Sequence, residues 1–200
     1  CNGEVEIISS KSSSNVFRGN LFFESRGTLT LRHGNNNLIE NNVFLGNRVD
    51  HTGGIRVINK GQIVRNNYMY GLTGHRFGGA LVIMNGVPNS PINRYHQVEN
   101  AIVENNSVID SDHIELAAGA DSERSAPPIN SVFRANLVYN ADGSENVAVH
   151  DDISGLAFRD NSMHEKIELA KADNELLYPV DPALAAIGAR KDLKVMERSA

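Results

Sequence analysis

The first strand-like segment carries acidic and basic residues at spacings that suggest chemistry. It reads Glu4-Val-Glu-Ile-Ile-Ser-Ser-Lys11, so that Glu4 and Glu6 are two positions apart. Residues two apart share one face of a β-strand. Two carboxylates on one face repel each other unless a cation lies between them, and oxygen ligands of this kind suit Ca²⁺. A metal site and a pair of exposed surface glutamates both fit this spacing.

A column of basic residues is expected beside these two acids. Arg32 follows Lys11 by 21 residues, and Arg56 follows Arg32 by 24. If the chain coils with that period, residues one coil apart lie about 4.8 Å from each other. Lys11, Arg32 and Arg56 would then stack, with His33 at the edge of the column. Like charges stacked in register are destabilising, so the arrangement favours an extended polyanion as the ligand.

These residue types suit the β-elimination of a polymer whose sugars carry carboxylates. The proton next to a uronate carboxylate is poorly acidic, and a metal that neutralises the carboxylate stabilises the enolate-like intermediate. Lys11 could remove the proton as a general base. Arg32 could stabilise the developing charge. A guanidinium scarcely gives up its proton, so the proton donor to the leaving oxygen is left open.

The elements that must position these residues repeat along the chain. Six segments share a small or polar residue, two apolar residues, a polar pair and a final asparagine. The final asparagines are Asn20, Asn42, Asn67, Asn106, Asn136 and Asn161. A second set of short apolar strands lies between these units, as in Thr28-Leu-Thr-Leu-Arg32. A period in the twenties with longer exceptions is typical of a solenoid. The sequence therefore predicts an all-β, right-handed, single-stranded parallel β-helix.

The recurrent asparagine is predicted to be structural, because its side-chain amide can bond to the same residue one coil away. We expect residues 1–163 to form the β-helix. A short helix, beginning with Glu165-Lys-Ile-Glu-Leu-Ala-Lys171, and a closing or linking segment should occupy 164–200. The chain starts directly in a strand, whereas solenoids need caps. Earlier coils, from the same polypeptide or a complementary chain, are therefore expected.

Composition limits the classes of partner. The formal net charge is −5, which argues against a basic nucleic-acid surface. No apolar run approaches the roughly 18 residues of a membrane span, so no membrane partner is expected. The single cysteine, Cys1, rules out a disulfide within the chain. Because the net charge is negative, an anionic ligand must be bound by a local group of basic residues rather than attracted by the overall charge of the chain.

Several segments resemble polysaccharide lyase family 6, which contains the alginate lyases and chondroitinase B. The resemblance begins with Asn2-Gly-Glu-Val-Glu-Ile-Ile-Ser-Ser-Lys11 and Gly27-Thr-Leu-Thr-Leu-Arg-His-Gly-Asn35. Segments 53–56, 84–96 and 177–184 are similar to the alginate-lyase branch in particular. The resemblance implies a calcium-dependent lyase that cleaves alginate into unsaturated oligosaccharides. It also implies a secreted or periplasmic protein.

By this resemblance, Lys11 corresponds to the catalytic base and Arg32 to the catalytic acid. Glu4 and Glu6 correspond to two calcium ligands, and the family's third ligand is an asparagine of an earlier coil. Arg56 and His33 correspond to substrate contacts. Weaker candidates for substrate binding lie in the insertions between coils, namely Arg76, Tyr95, His96 and Arg124.

Other functions fit the same residues. A chondroitin or dermatan sulfate lyase would use the same elimination, and alginate is preferred on the resemblance alone because no residue can be assigned to sulfate. An alginate C5-epimerase would remove the same proton and return one without cleaving the chain. A non-catalytic carbohydrate-binding β-helix would bind the polymer without turnover.

Overall fold

The computed structural model describes the backbone of residues 2–195 and the side chains of residues 5–195. Three six-stranded parallel sheets stack the coils into a parallel β-helix, as the repeat predicted. The first sheet contains β1 Asn2–Lys11, β4 Arg26–His33, β7 Thr52–Val57, β10 Leu81–Met84, β13 Ile114–Ala118 and β16 Val147–Val149. The second contains β2 Val16–Arg18, β5 Leu38–Glu40, β8 Ile63–Arg65, β11 Ile102–Glu104, β14 Ser131–Arg134 and β17 Leu156–Arg159. The third contains β3 Leu21–Phe23, β6 Val43–Leu45, β9 Tyr68–Tyr70, β12 Ser107–Ile109, β15 Leu137–Tyr139 and β18 Ser162–Met163.

Asparagine turns join the second sheet to the third. The predicted asparagine ladder is confirmed: each side-chain amide donates to the carbonyl oxygen of the next asparagine at 2.8–3.1 Å. The residue before the ladder asparagine is left-handed in every coil, as at Asn41, Asn66 and Asn105. Asparagine tolerates this conformation better than most residues. The recurring Asn-Asn pair therefore sets the turn and links the coils.

The core lies between the three sheets. Leu29, Leu31, Ile55 and Phe44 are fully buried there, in agreement with the alternation of apolar residues along each strand. The Phe22 and Phe44 rings stack with their centroids 4.4 Å apart. These contacts leave the alternate residues of the first sheet on its outer face, where the polar side chains converge.

The register of the first sheet differs from the predicted column of basic residues. Lys11 pairs with His33, and Arg56 pairs with Thr30. Register shifts in the β1–β4 and β4–β7 pairings displace the strands along each other, so Arg32 lies two residues further along its strand than the position opposite Arg56. The expectation that Lys11, Arg32 and Arg56 stack directly is wrong, because bulges change the register that counting residues suggests.

The predicted helix near the C-terminus is also wrong. Strand β19 Leu169–Lys171 pairs antiparallel with β20 Leu177–Pro179, and a 3₁₀ turn follows at Pro182–Leu184. The hairpin packs on the outer face of the third sheet, where the ring centroids of Tyr68 and Tyr178 lie 6.0 Å apart. Within the part of the chain that is described, no helix is long and apolar enough to cross a membrane.

Candidate active site

Two arginines from neighbouring coils share one carboxylate on the outer face of the first sheet. Arg56 Nη2 of β7 contacts Glu6 Oε1 of β1 directly, and Arg32 Nη1 of β4 lies 3.8 Å from the same oxygen. The Arg56 side chain is 2% exposed, whereas Glu6 and Arg32 are 23% and 30% exposed. Among the side chains of residues 5–195, two guanidinium groups thus surround one carboxylate here, which gives these described groups a net positive charge.

Aromatic side chains from two insertions complete the surroundings of the arginines. Arg32 Nη1 donates to Tyr95 Oη at 2.6 Å, and its guanidinium lies 4.5 Å from the centre of that ring. The guanidinium of Arg56 lies 5.5 Å from the centre of the Phe77 ring. The resulting open hollow of about 450 Å³, which we call the cleft, is lined by Val5, Glu6, Arg32, Arg56, Phe77 and Tyr95.

The charges around the cleft shift the protonation of its neighbours. Burial lowers the pKa of Arg56, the Glu6 carboxylate opposes that shift, and the nearby Arg32 adds to it. Burial also lowers the pKa of His33, and the positive charges of Arg32 and Lys11 lower it further, against an opposing effect of Glu6. His33 is therefore held neutral at neutral pH and can offer a substrate a hydrogen-bond donor or acceptor.

Lys11 ends β1 opposite His33 and is exposed. Its ammonium group forms no ion pair with any side chain of residues 5–195. The side chain of Glu4 lies outside the described residues, so its predicted pairing with Glu6 stays a prediction. Lys11 is thus available to a ligand bound along the first sheet.

The described residues do not complete a calcium site by themselves. Ca²⁺ takes about six to eight oxygen ligands. Among residues 5–195, no group of three histidine, cysteine or acidic side chains is arranged to hold a metal. Glu6, the one predicted ligand whose side chain is described, is already engaged by Arg56 and Arg32.

The remaining predicted substrate contacts fall into two groups. Arg124 lies beside the cleft, with its guanidinium 5.3 Å from the Tyr95 ring and 5.9 Å from the Phe77 ring. Arg76 occupies the turn that carries Phe77. His96 is not among the residues that line the cleft. Burial lowers its pKa, and the nearby Lys60 lowers it further. Substrate binding by each of these residues stays a prediction.

Two residues that sequence reasoning missed fix the wall of the cleft. Phe77 lies in a 3₁₀ turn, Arg76–Gly78, whose flanking glycines were the available signal in the sequence. Glu115 Oε1 accepts from the backbone N–H of Arg76 at 2.9 Å, and Glu115 Oε2 contacts His150 Nε2. A buried acid in an otherwise apolar strand was the signal for Glu115.

These features define a parallel β-helix protein with a cationic cleft on one sheet. The sequence model of the Chondroitinase B family matches residues 1–192. A solved structure of the polysaccharide lyase family 6 alginate lyase AlyGC is 56% identical, with a TM-score of 0.94 over 97% of this chain and 28% of that chain. An arginine-to-alanine variant of AlyGC gives 55% identity and the same TM-score and coverage.

A mannuronic acid specific family 6 lyase from human gut microbiota is also similar. It is 32% identical, with a TM-score of 0.69 over 80% of this chain and 38% of that chain. No curated protein matched the sequence. The chain belongs to the Chondroitinase B family, that is, polysaccharide lyase family 6, and within it to the alginate-lyase branch. It spans about 28% of the length of AlyGC.

Proposed function

We propose that the protein containing this chain is a polysaccharide lyase that cleaves alginate, a uronate polymer, by β-elimination. The observation that carries the proposal is the cleft, where Arg32 and Arg56 share the single carboxylate of Glu6. The surplus positive charge faces an open groove that suits a chain of carboxylated sugars. Membership of a family whose solved members include alginate lyases supports alginate as the polymer.

The elimination can be assigned to named groups. Lys11, as the free amine, takes the proton on C5 of the uronate. The electron pair of that C–H bond forms the C4–C5 double bond, and the bond from C4 to the glycosidic oxygen breaks. Arg32 and Arg56 stabilise the negative charge that develops on the carboxylate during proton removal. The products are a 4,5-unsaturated uronate at the new non-reducing end and a free hydroxyl on the leaving sugar.

The leaving oxygen needs a proton, and Tyr95 is better suited to supply it than Arg32. The hydrogen bond from Arg32 to Tyr95 Oη uses an oxygen lone pair and leaves the phenolic proton free to be donated. The same guanidinium would stabilise the phenolate that forms. A guanidinium keeps its own protons under ordinary conditions. We therefore assign donation to Tyr95 and electrostatic stabilisation to Arg32.

The proposal also includes a bound Ca²⁺ ion and a location of the protein outside the cytoplasm. Glu4 and Glu6 are proposed to bind Ca²⁺ together with residues outside the described chain, and the ion would neutralise the uronate carboxylate. The steps above are assigned without the ion, because the described residues do not complete its site. Secretion or export to the periplasm is proposed from the family resemblance, since alginate is an extracellular polymer.

A Lys11→Ala variant of the full-length protein tests the proposed chemistry. We expect it to lose at least about a hundredfold in kcat, as is typical when a general base is removed, while it still binds the polymer. The near-ultraviolet absorbance of the unsaturated product measures the rate of cleavage. Titration calorimetry measures the affinity of the variant for the polymer. Lys166→Ala, at an exposed position outside the cleft, is the matched control and should keep full activity. Retained cleavage by Lys11→Ala would exclude Lys11 as the base.

A further inference from the structure

A second hollow adjoins the cleft on the other side of Phe77. We call it the histidine hollow, and its volume is about 210 Å³. The residues that line it are Val5, Gly27, His51, Gly74, His75, Arg76, Phe77 and Gly78. It shares Val5 and Phe77 with the cleft. A polymer that extends past the Phe77 wall therefore enters the histidine hollow.

Three imidazoles from successive coils form a row in which neighbouring rings are tilted or edge-to-face, and the first two of them line the histidine hollow. The ring centroids of His51 and His75 are 5.9 Å apart, and those of His75 and His113 are 6.3 Å apart. His51 Nε2 lies 3.7 Å from Asp50. The ring of His75 forms no hydrogen bond with any residue in the described part of the chain. Its ring nitrogens are therefore available to a ligand.

The guanidinium group of Arg76 is a second group at the histidine hollow that is available to a ligand. This guanidinium forms no ion pair with a side chain in residues 5–195. The backbone of Arg76 is left-handed, with a φ of 53°, and the hydrogen bond from its N–H to the Glu115 carboxylate fixes the turn. Such a conformation is uncommon for a residue other than glycine. The turn therefore presents Arg76 and Phe77 in a fixed position.

We propose that the histidine hollow is an additional subsite that binds one more uronate residue of the polymer. Arg76 and His75 bind its carboxylate, and the Phe77 ring packs against the apolar face of the sugar. The inference rests on the proposed polyuronate lyase function. It adds to that function a contact outside the cleft, which only substrates long enough to pass Phe77 can make.

Gly78 offers a way to fill the hollow without disturbing the fold. A Cβ atom built at Gly78 meets no other atom within 4 Å. A Cβ at Gly27 or Gly74, by contrast, would lie within 3 Å of backbone atoms. Gly78→Leu therefore projects into open space, whereas substitutions at the other two glycines would disrupt the packing of the coils.

The test compares substrates of increasing length with the full-length protein. We expect Arg76→Gln and Gly78→Leu each to lower kcat/KM about tenfold for long oligouronates, equivalent to one lost charge-assisted contact. The shortest cleaved oligouronate should be unaffected, since it does not reach the hollow. Arg159→Gln, at an exposed position on the second sheet, is the control and should match the parent at every length.

Two results would overturn the subsite. One is that neither variant changes kcat/KM for any length. The other is an equal loss for short and long substrates, which would place the effect in the cleft. If the parent protein proves not to cleave polyuronates, the proposed function fails, and the same variants are compared by calorimetric titration with a long oligouronate. Unchanged affinity in that titration overturns the subsite as well.

Discussion

Arg32 is held from two sides, by the carboxylate of Glu6 and by the hydroxyl of Tyr95. The first contact orients a cation toward the groove, and the second links it to a phenol that can exchange a proton. Lys11 and His33 lie at the adjoining end of the strands. The proposed base, Lys11, and the proposed stabilising cation, Arg32, come from neighbouring strands of the first sheet. The proposed proton donor, Tyr95, comes from an insertion whose position residue spacing alone does not give.

The proposed role of Tyr95 predicts a selective loss of turnover in Tyr95→Phe. The variant keeps the ring over Arg32 and removes the donor, so kcat should fall about a hundredfold with little change in KM. Steady-state kinetics on an alginate oligomer measures both constants. Tyr139→Phe, on the third sheet, is the matched control. An unchanged kcat in Tyr95→Phe would return the proton-donor role to another group.

The neighbours of His33 predict a dependence of stability on pH. Burial, Arg32 and Lys11 lower its pKa in the folded state, so the unfolded chain binds the proton more readily. Stability should therefore fall as pH drops below the ordinary histidine value of about 6.5. His33→Gln removes this contribution, so the loss of unfolding free energy between pH 7 and pH 5 should be smaller than in the parent.

Urea denaturation at the two pH values measures this difference. His96, whose pKa is also lowered, contributes with the same sign and remains in the variant, so a residual decrease is expected. A pH dependence in His33→Gln as steep as that of the parent would show that His33 does not favour its neutral form in the folded protein.

At the scale of the elements, polar ladders link the coils. On the outer face of the second sheet, Arg18 and Arg65 both bind the carboxylate of Glu40, which is 8% exposed. Burial alone would raise the pKa of Glu40, but hydrogen bonds from Arg65 and Arg18 outweigh it and lower the pKa. Alternating charges in register are favourable between neighbouring strands. The parallel register is thus supported on the outer face as well as in the core.

The asparagine ladder predicts a position-dependent cost of truncation. Asn67 is fully buried and bonds to Asn42, Asn106 and the backbone carbonyl of Ile39. Asn67→Ala leaves those partners unsatisfied and should lower the free energy of unfolding by about 3 kcal/mol. Asn161→Ala, at the end of the ladder, should cost about 1 kcal/mol because fewer partners are lost.

Urea denaturation of both variants provides the comparison. Equal costs at the two positions, or a cost below about 1 kcal/mol at Asn67, would contradict a cooperative role for the ladder. Activity is a useful second measurement, since neither asparagine lies at the cleft.

The elements could be predicted from the sequence where a repeat imposes them. The repeated asparagines and apolar pairs predicted the parallel strands, because each coil must bury the same positions. Residues 165–171 carry good helix formers, but Ile167 and Leu169 are two apart and both pack against the third sheet. That packing outweighed the local helix propensity. Residue counting also could not reveal the register shifts in the first sheet.

At the scale of the whole molecule, the site depends on both the solenoid and its insertions. Glu6, Arg32 and Arg56 could be identified from spacing and family resemblance, since the coils bring them to one face. Phe77 and Glu115 could not, because a turn inserted between strands and a contact across coils place them there. The net charge of −5 is compatible with a polyanion because the positive charge is local to the cleft.

The most direct test of the account is to incubate the full-length protein with polymannuronate, polyguluronate and chondroitin sulfate. The near-ultraviolet absorbance of the unsaturated product is followed with calcium and then with a chelator. We predict an increase on at least one alginate block, a loss of that activity on chelation, and no increase on chondroitin sulfate. No absorbance on any polymer in the presence of calcium would contradict β-elimination as the function of the cleft.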